Sequence, residues 1–129
     1  MSARDVVWCV EDEPDIGLLL SRVLENLSVD VVHIHDPQIA LDKMATERPD
    51  LIVLDLMLPS MTGWDFLEQV RENEAWREIP VVILSVRSGG ADRQRASELK
   101  VAHYMTKPFV PTELQRVVRE ILDLNEREG

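Results

Sequence analysis

In 129 residues there is one cysteine, one tyrosine, two phenylalanines and five glycines. The lone Cys9 excludes an internal disulfide, and chains with so few thiols are natural to a reducing compartment. With glycine this scarce, no Gly-rich phosphate cradle follows the first strand-like run, which argues against a nucleotide-binding domain. No apolar stretch approaches the length of a membrane span, and the N-terminus lacks a basic-then-apolar leader pattern. Basic residues are outnumbered 14 to 24, for a net charge of −10. That balance disfavours nonspecific contact with nucleic acid, which needs cations to displace counterions. Internal repeats and low-complexity segments are absent as well.

What the chain does have is a strict alternation of strand-like and amphipathic helical runs. Strands are expected at Asp5–Val10, Val31–His35, Leu51–Asp55, Ile79–Leu84 and Val101–Met105. The first helix opens at Pro14, with Ile16, Leu19, Leu20, Val23, Leu24 and Leu27 as its apolar stripe. Asp36-Pro37 caps the second helix, which carries Ile39, Ala40, Leu41 and Met44. A third runs through Trp64, Phe66, Leu67 and Val70, a more polar fourth covers Ala91–Leu99, and a fifth covers Pro111–Leu124. Five strands and five helices in alternation imply a parallel sheet with right-handed crossovers, helices on both faces and strand order 2-1-3-4-5. One domain is expected over residues 1–124, with 125–129 a polar tail.

In such a sheet all strands end on one edge, where open α/β folds bind ligands. The polar residues at those ends are Glu11 and Asp12, Asp36, Asp55, Ser85, and Thr106-Lys107. Asp55 closes the run Leu51-Ile52-Val53-Leu54, and an ionised carboxylate among leucines is costly unless compensated. The strand order sets Asp12 beside Asp55, and crowded carboxylates call for a cation. A hard oxygen-seeking ion such as Mg²⁺ suits them. Lys107 adds an ammonium and Ser85 a hydroxyl. Together they are the equipment for phosphoryl transfer onto Asp55.

These residues, with Pro59, Gly63, Tyr104 and the Lys107-Pro108-Phe109 sequence, resemble the response-regulator receiver domain of bacterial two-component signalling, over nearly the whole chain. The resemblance implies a flavodoxin-like (βα)5 fold. It implies that Asp55 is phosphorylated from a histidine kinase or phosphotransfer protein, and that the domain catalyses only its own phosphorylation and dephosphorylation. It further implies Mg²⁺ held by Asp12, Asp55 and the Met57 carbonyl, with Glu11 acting through water. Ser85 and Lys107 would contact the phosphoryl group, and Ser85 and Tyr104 would form the switch. An output domain or partner protein, a homodimer through the fourth helix, fifth strand and fifth helix, no nucleic acid or membrane contact, and a cytoplasmic setting follow from the same likeness.

The chain departs from the family at Glu11, where aspartate is usual, and at Val86, where a very small residue is usual and where valine would crowd Asp55. Met57 and Arg87 flank the site. Lys100-Val101-Ala102-His103 replaces a Gly-Ala stretch with acidic residues, and Val110 leaves the last helix without a capping hydroxyl. A phosphatase acting on outside substrates would need a second carboxylate two residues after Asp55, where Met57 stands. The other alternative is a phosphorylation-independent interaction module on the same fold. Cys9 reads as a core residue, His33 and His35 as solvated histidines rather than a metal pair, Asp36 as a helix cap, and Trp8, Trp64 and Trp76 as packing residues.

Overall fold

The computed structural model describes residues 4–58, 61–86 and 89–123; Pro59, Arg87 and Leu124 lie outside them. Its strands are β1 (Asp5–Val10), β2 (Val29–Ile34), β3 (Leu51–Asp55), β4 (Val81–Ser85) and β5 (His103–Thr106). Its helices are α1 (Pro14–Glu25), α2 (Pro37–Lys43), α3 (Gly63–Glu72), α4 (Gly90–Glu98) and α5 (Pro111–Leu122). The five strands form one sheet in the order β2-β1-β3-β4-β5, every pairing parallel.

Side chains alternate across each strand, so the sheet separates two apolar layers. On one side Val7, Cys9, Leu51, Val53, Leu84 and Met105 pack against α1 and α5. On the other, Trp8, Val10, Ile52, Leu54, Val81 and Ile83 pack against α2, α3 and α4. Strands buried on both faces read as continuous apolar runs, which is why β3 and β4 are legible without any alternation. The three tryptophans join the second layer, Trp76 at its margin.

Several boundaries and faces differ from the sequence expectation. β2 begins at Val29 rather than Val31, because Ser28 takes a positive φ of 61° and turns the chain back at once after α1. β5 begins at His103 rather than Val101, since the Val101 N–H closes α4 by donating to the Ala96 carbonyl. β4 begins at Val81 rather than Ile79: the Ile79 N–H turns back to the Trp76 carbonyl and Pro80 has none to give. On α1, Leu20, Val23 and Leu24 face inward as expected, but Leu19 is exposed and Gly17 is buried; Ile39 on α2 is exposed too.

Two local departures have the expected consequences. Lys100, just past α4, holds φ at 57°, the left-handed region that glycine would occupy without strain. Val110 stands at the N-cap of α5 with no side-chain hydrogen bond, whereas Thr62 and Asp36 cap α3 and α2 through the N–H groups of Asp65 and Gln38. Because Val110 is exposed, Val110→Ser is expected to raise stability by about 0.5–1 kcal/mol, measured by urea denaturation.

Candidate functional site

Asp55 ends β3, and its carboxylate is buried at the sheet's carboxyl edge. Its local geometry is set by α3. Gly63 donates its N–H to the Leu56 carbonyl at 3.0 Å. A Cβ on Gly63 would stand 2.6 Å from the Leu56 Cα and 2.8 Å from the Asp55 carbonyl. Only glycine lets the start of α3 come this close to the backbone that carries the carboxylate. The Met57 N–H donates to Asp55 Oδ1 at 3.1 Å, and Lys107 Nζ lies 3.5 Å from Oδ2.

Glu11 and Asp12 leave the end of β1 beside it. One carboxylate oxygen from each of Glu11, Asp12 and Asp55 lies within 4.8 Å of the others. Lys107, beyond β5, is brought in by its N–H, which donates to the Ser85 carbonyl at 2.8 Å. The peptide linking it to Pro108 is cis. One side-chain contact in the group is not suggested by the sequence: Lys107 Nζ to Glu11 Oε1 at 2.9 Å. Glutamate's extra methylene gives it direct reach to the ammonium. Ser85 is fully buried at the end of β4, one strand over from Asp55. Tyr104 is half-buried on β5 opposite Ile83, with the Arg93 guanidinium 5.0 Å from its ring centre.

Side-chain parity divides these residues. Asp55 shares a face with Leu51 and Val53, toward α1 and α5, and Glu11 and Lys107 meet it there. Ser85 and Tyr104 share the opposite face with Ile83, toward α4.

Burial pushes the Glu11 carboxyl up; the Lys107 hydrogen bond pulls it down and nearby Asp55 pushes it up further, to about 7. Burial alone would lower the Lys107 pKa, yet the Glu11 hydrogen bond and the two carboxylate charges outweigh it and raise it. A carboxyl raised on folding stabilises fully below its unfolded pKa and loses that contribution as pH rises through the folded one. Metal-free protein is therefore expected to lose about 1–2 kcal/mol between pH ~4.5 and ~7, after allowance for solvent screening at the rim. Urea denaturation in chelator, compared with Glu11→Gln, checks this; the variant should lack that decline.

Cys9 is buried, and burial followed by the Glu11 charge pushes its thiol up to about 12. It is an inert core residue, as expected. Asp36 is the helix cap expected of it. His35 is exposed, but His33 is not a solvated histidine: its Nε2 lies 2.6 Å from the Glu11 carbonyl oxygen and its ring is packed on α1. Periodicity cannot reveal that contact, since it depends on the path of the loop after β1.

A doubly wound parallel sheet that carries three carboxylates and an ammonium at its carboxyl edge defines a receiver domain. The chain belongs to the response regulator receiver domain family, whose model matches residues 7–119. It is 39% identical over 120 residues to the alkaline phosphatase synthesis transcriptional regulatory protein PhoP of Bacillus subtilis (strain 168), covering 93% of this chain and 49% of that protein. It is 36% identical over 116 residues to the phosphate regulon transcriptional regulatory protein PhoB of Escherichia coli (strain K12), covering 90% and 51%. The chain thus spans about half the length of these curated relatives. Among solved structures, the signal receiver domain of a signal transduction histidine kinase from Syntrophus aciditrophicus matches with a TM-score of 0.84 and 28% identity, covering 92% and 90%. A chemotaxis response regulator of Vibrio cholerae matches with a TM-score of 0.84 and 25% identity, covering 92% and 99%. The chain is a receiver domain of two-component signalling. Among the described residues, no helix is long and apolar enough to cross a membrane.

Proposed function

We propose that Asp55 is the phosphoacceptor, that residues 1–124 are the receiver unit, and that Ser85 and Tyr104 carry the response to α4. The observation that supports this best is the convergence on Asp55 of Lys107, at 3.5 Å, and of Glu11 and Asp12 within 4.8 Å.

A carboxylate oxygen of Asp55 attacks the donor phosphorus. The bond from phosphorus to the donor's leaving group breaks, and that group departs with the electron pair and takes up a proton. With a phosphohistidine donor the leaving group is imidazole. The product is an acyl phosphate on Asp55. The Met57 N–H holds Asp55 Oδ1 and so orients the carboxylate. Lys107 is placed to meet the incoming phosphoryl oxygens, and the Ser85 hydroxyl to meet them from the α4 side.

Three hard oxygen donors with so little separation fit Mg²⁺. Asp12, Asp55 and the Met57 carbonyl would hold it, with Glu11 through water. Such an ion, when bound, neutralises charge on carboxylate and phosphoryl group alike. Once phosphorylated, Asp55 offers acceptors to Ser85 and Lys107 in that state only. At ~1.5–3 kcal/mol per charge-assisted bond, this moves a two-state population substantially.

The donor is a protein, a histidine kinase or phosphotransfer domain. An apolar slot of about 280 Å³ lined by Ile16, Leu19, Val86, Lys107, Pro108 and Phe109 supports this, because it gives an apolar partner a seat beside the ammonium. Val86 is exposed at that slot. Val86→Ala is expected to speed acceptance from a small donor such as acetyl phosphate, measured by intact mass against time. Output passes to a further domain or partner through α4, β5 and α5, a face that also serves a homodimer. With Ala102 and His103 ahead of Tyr104, that pairing lacks acidic support. The setting is cytoplasmic, with no direct nucleic acid contact by this domain.

The deciding experiment treats the chain with acetyl phosphate and Mg²⁺, then reads intact mass and the position of the adduct. One phosphoryl group on Asp55, absent in Asp55→Asn, is expected. An unmodified protein that also ignores beryllofluoride would instead favour a phosphorylation-independent interaction module.

A further inference from the structure

One polar side chain reaches the acidic loop without entering the phosphoryl chemistry. His33, on β2 and paired in register with Cys9, places Nε2 2.6 Å from the Glu11 carbonyl oxygen. A backbone carbonyl only accepts, so the ring nitrogen that touches it carries the proton. The Glu11 N–H is itself committed to β2, donating to the Ile34 carbonyl at 3.0 Å. Glu11 is therefore fastened to the neighbouring strand at both ends of its backbone, once by main chain and once by imidazole. Its side chain is left to point at Lys107, 2.9 Å away, and Asp12 begins at the fastened peptide.

The imidazole has a seat prepared for it. Gly17 lies inside α1, and a Cβ there would fall 2.2 Å from His33 Cε1, 2.3 Å from Nε2 and 2.5 Å from Nδ1. Glycine within a helix costs about 0.5–1 kcal/mol relative to alanine. α1 carries this weakness at the position the ring covers. Any larger residue would drive the ring off Gly17 and away from the Glu11 carbonyl.

We propose that His33 is a positioning residue for the acidic site. Through its hydrogen bond to the Glu11 carbonyl it sets the peptide between Glu11 and Asp12, and with it the two carboxylates that face Asp55. It touches neither the ion nor the phosphoryl group. Outer-shell hydrogen bonds of this kind fix the orientation of the groups that ligate. The inference rests on the phosphoacceptor reading of the site and adds to it a residue and a packing requirement.

The test is a Mg²⁺ titration of the whole chain, by calorimetry or amide chemical shifts, paired with thermal unfolding of the metal-free protein. Four proteins are compared: wild type, His33→Phe, His33→Gln and Gly17→Ala. His33→Phe keeps a ring over Gly17 without the donor and is expected to weaken Mg²⁺ roughly tenfold. His33→Gln keeps an N–H donor and should recover most of that loss. Gly17→Ala should weaken Mg²⁺ in the same direction, and the Mg²⁺ affinity is the deciding readout, because in Tm alanine's helix preference is offset by the displaced ring. A merely structural role would lower Tm and leave the Mg²⁺ affinity alone. Wild-type affinity in both His33→Phe and Gly17→Ala overturns the proposal, as does His33→Gln binding no better than His33→Phe. Should His33→Phe fail to fold, the other two variants decide. A wild-type chain that binds no Mg²⁺ would instead remove the phosphoacceptor reading, and this inference with it.

Discussion

Lys107→Met is expected to destabilise the metal-free protein by about 2–4 kcal/mol near pH ~8 and to tighten Mg²⁺ binding about tenfold. The ammonium lies 2.9 Å from Glu11 and 3.5 Å from Asp55, and both carboxylates are buried. Without Lys107 they face each other and Asp12 with no cation among them in the described residues. Breaking a buried pair by deleting one partner costs about 3–5 kcal/mol, and partial exposure of the rim trims that figure. Near pH ~6 the loss should shrink, because Glu11, with a pKa of about 7, can take a proton instead. The same deletion removes the cation that competes with a metal ion for these oxygens. One unit charge at ~4 Å is worth about 4 kcal/mol at an effective dielectric constant near 20, so a tenfold gain is a modest fraction of what is available. Calorimetric titration with Mg²⁺ and urea denaturation in chelator measure the two effects; an unchanged Mg²⁺ affinity would contradict the account of Lys107 as the resident counter-ion.

Arg71→Met is expected to cost about 2–4 kcal/mol and roughly 10 °C in Tm. Arg71 lies in the last turn of α3 and works far from the acidic edge, at the opposite end of the sheet. Its guanidinium donates to four backbone carbonyls: Leu99 at 2.7 Å, Ile79 at 2.8 Å, Arg77 at 3.1 Å and Lys100 at 3.3 Å. These belong to the end of α4 and to the turn entering β4, so one side chain ties three segments together. Burial presses its pKa down, with Glu78 nearby acting in the other direction. Hydrogen bonds from a charged donor contribute about 1.5–3 kcal/mol each. An open cavity of about 410 Å³ beside Arg71 lets water reach some of the freed carbonyls, which caps the loss. Thermal unfolding monitored by circular dichroism gives the result, and a shift of only a degree or two would mean the carbonyls are already served by water. Lys at this position should recover little, since a point charge cannot serve a fan of carbonyls.

The fold was legible because β3 and β4 are unbroken apolar runs and the helices between them carry periodic stripes and terminal prolines. Asp55 was legible for a related reason: a carboxylate among leucines at a strand end needs compensation, and Asp12 and Lys107 end strands on the same edge. Leu19 and Ile39 misled because the apolar stripe read on each helix is wider than the face α1 and α2 bury; Gly17, carrying no hydropathy signal, is a residue that packs. The direct Glu11–Lys107 pair was hidden because spacing says which strand ends meet but not which of two carboxylates an ammonium prefers. His33 was hidden because its partner is a main-chain carbonyl, and main-chain atoms leave no trace in a residue pattern.

The sheet is a partition between two sets of working residues. Glu11, Asp55 and Lys107 hang on the α1/α5 side, while Ser85 and Tyr104 hang on the α4 side. Lesions should therefore sort into two genetic classes. Those on the first side should leave the protein unable to take a charge from its donor. Those at Tyr104 on the second should yield a protein that is fully loaded yet deaf, while Ser85, which also meets the phosphoryl group, should score in both, and a screen scoring both traits would draw the plane of the sheet through its own table of mutants.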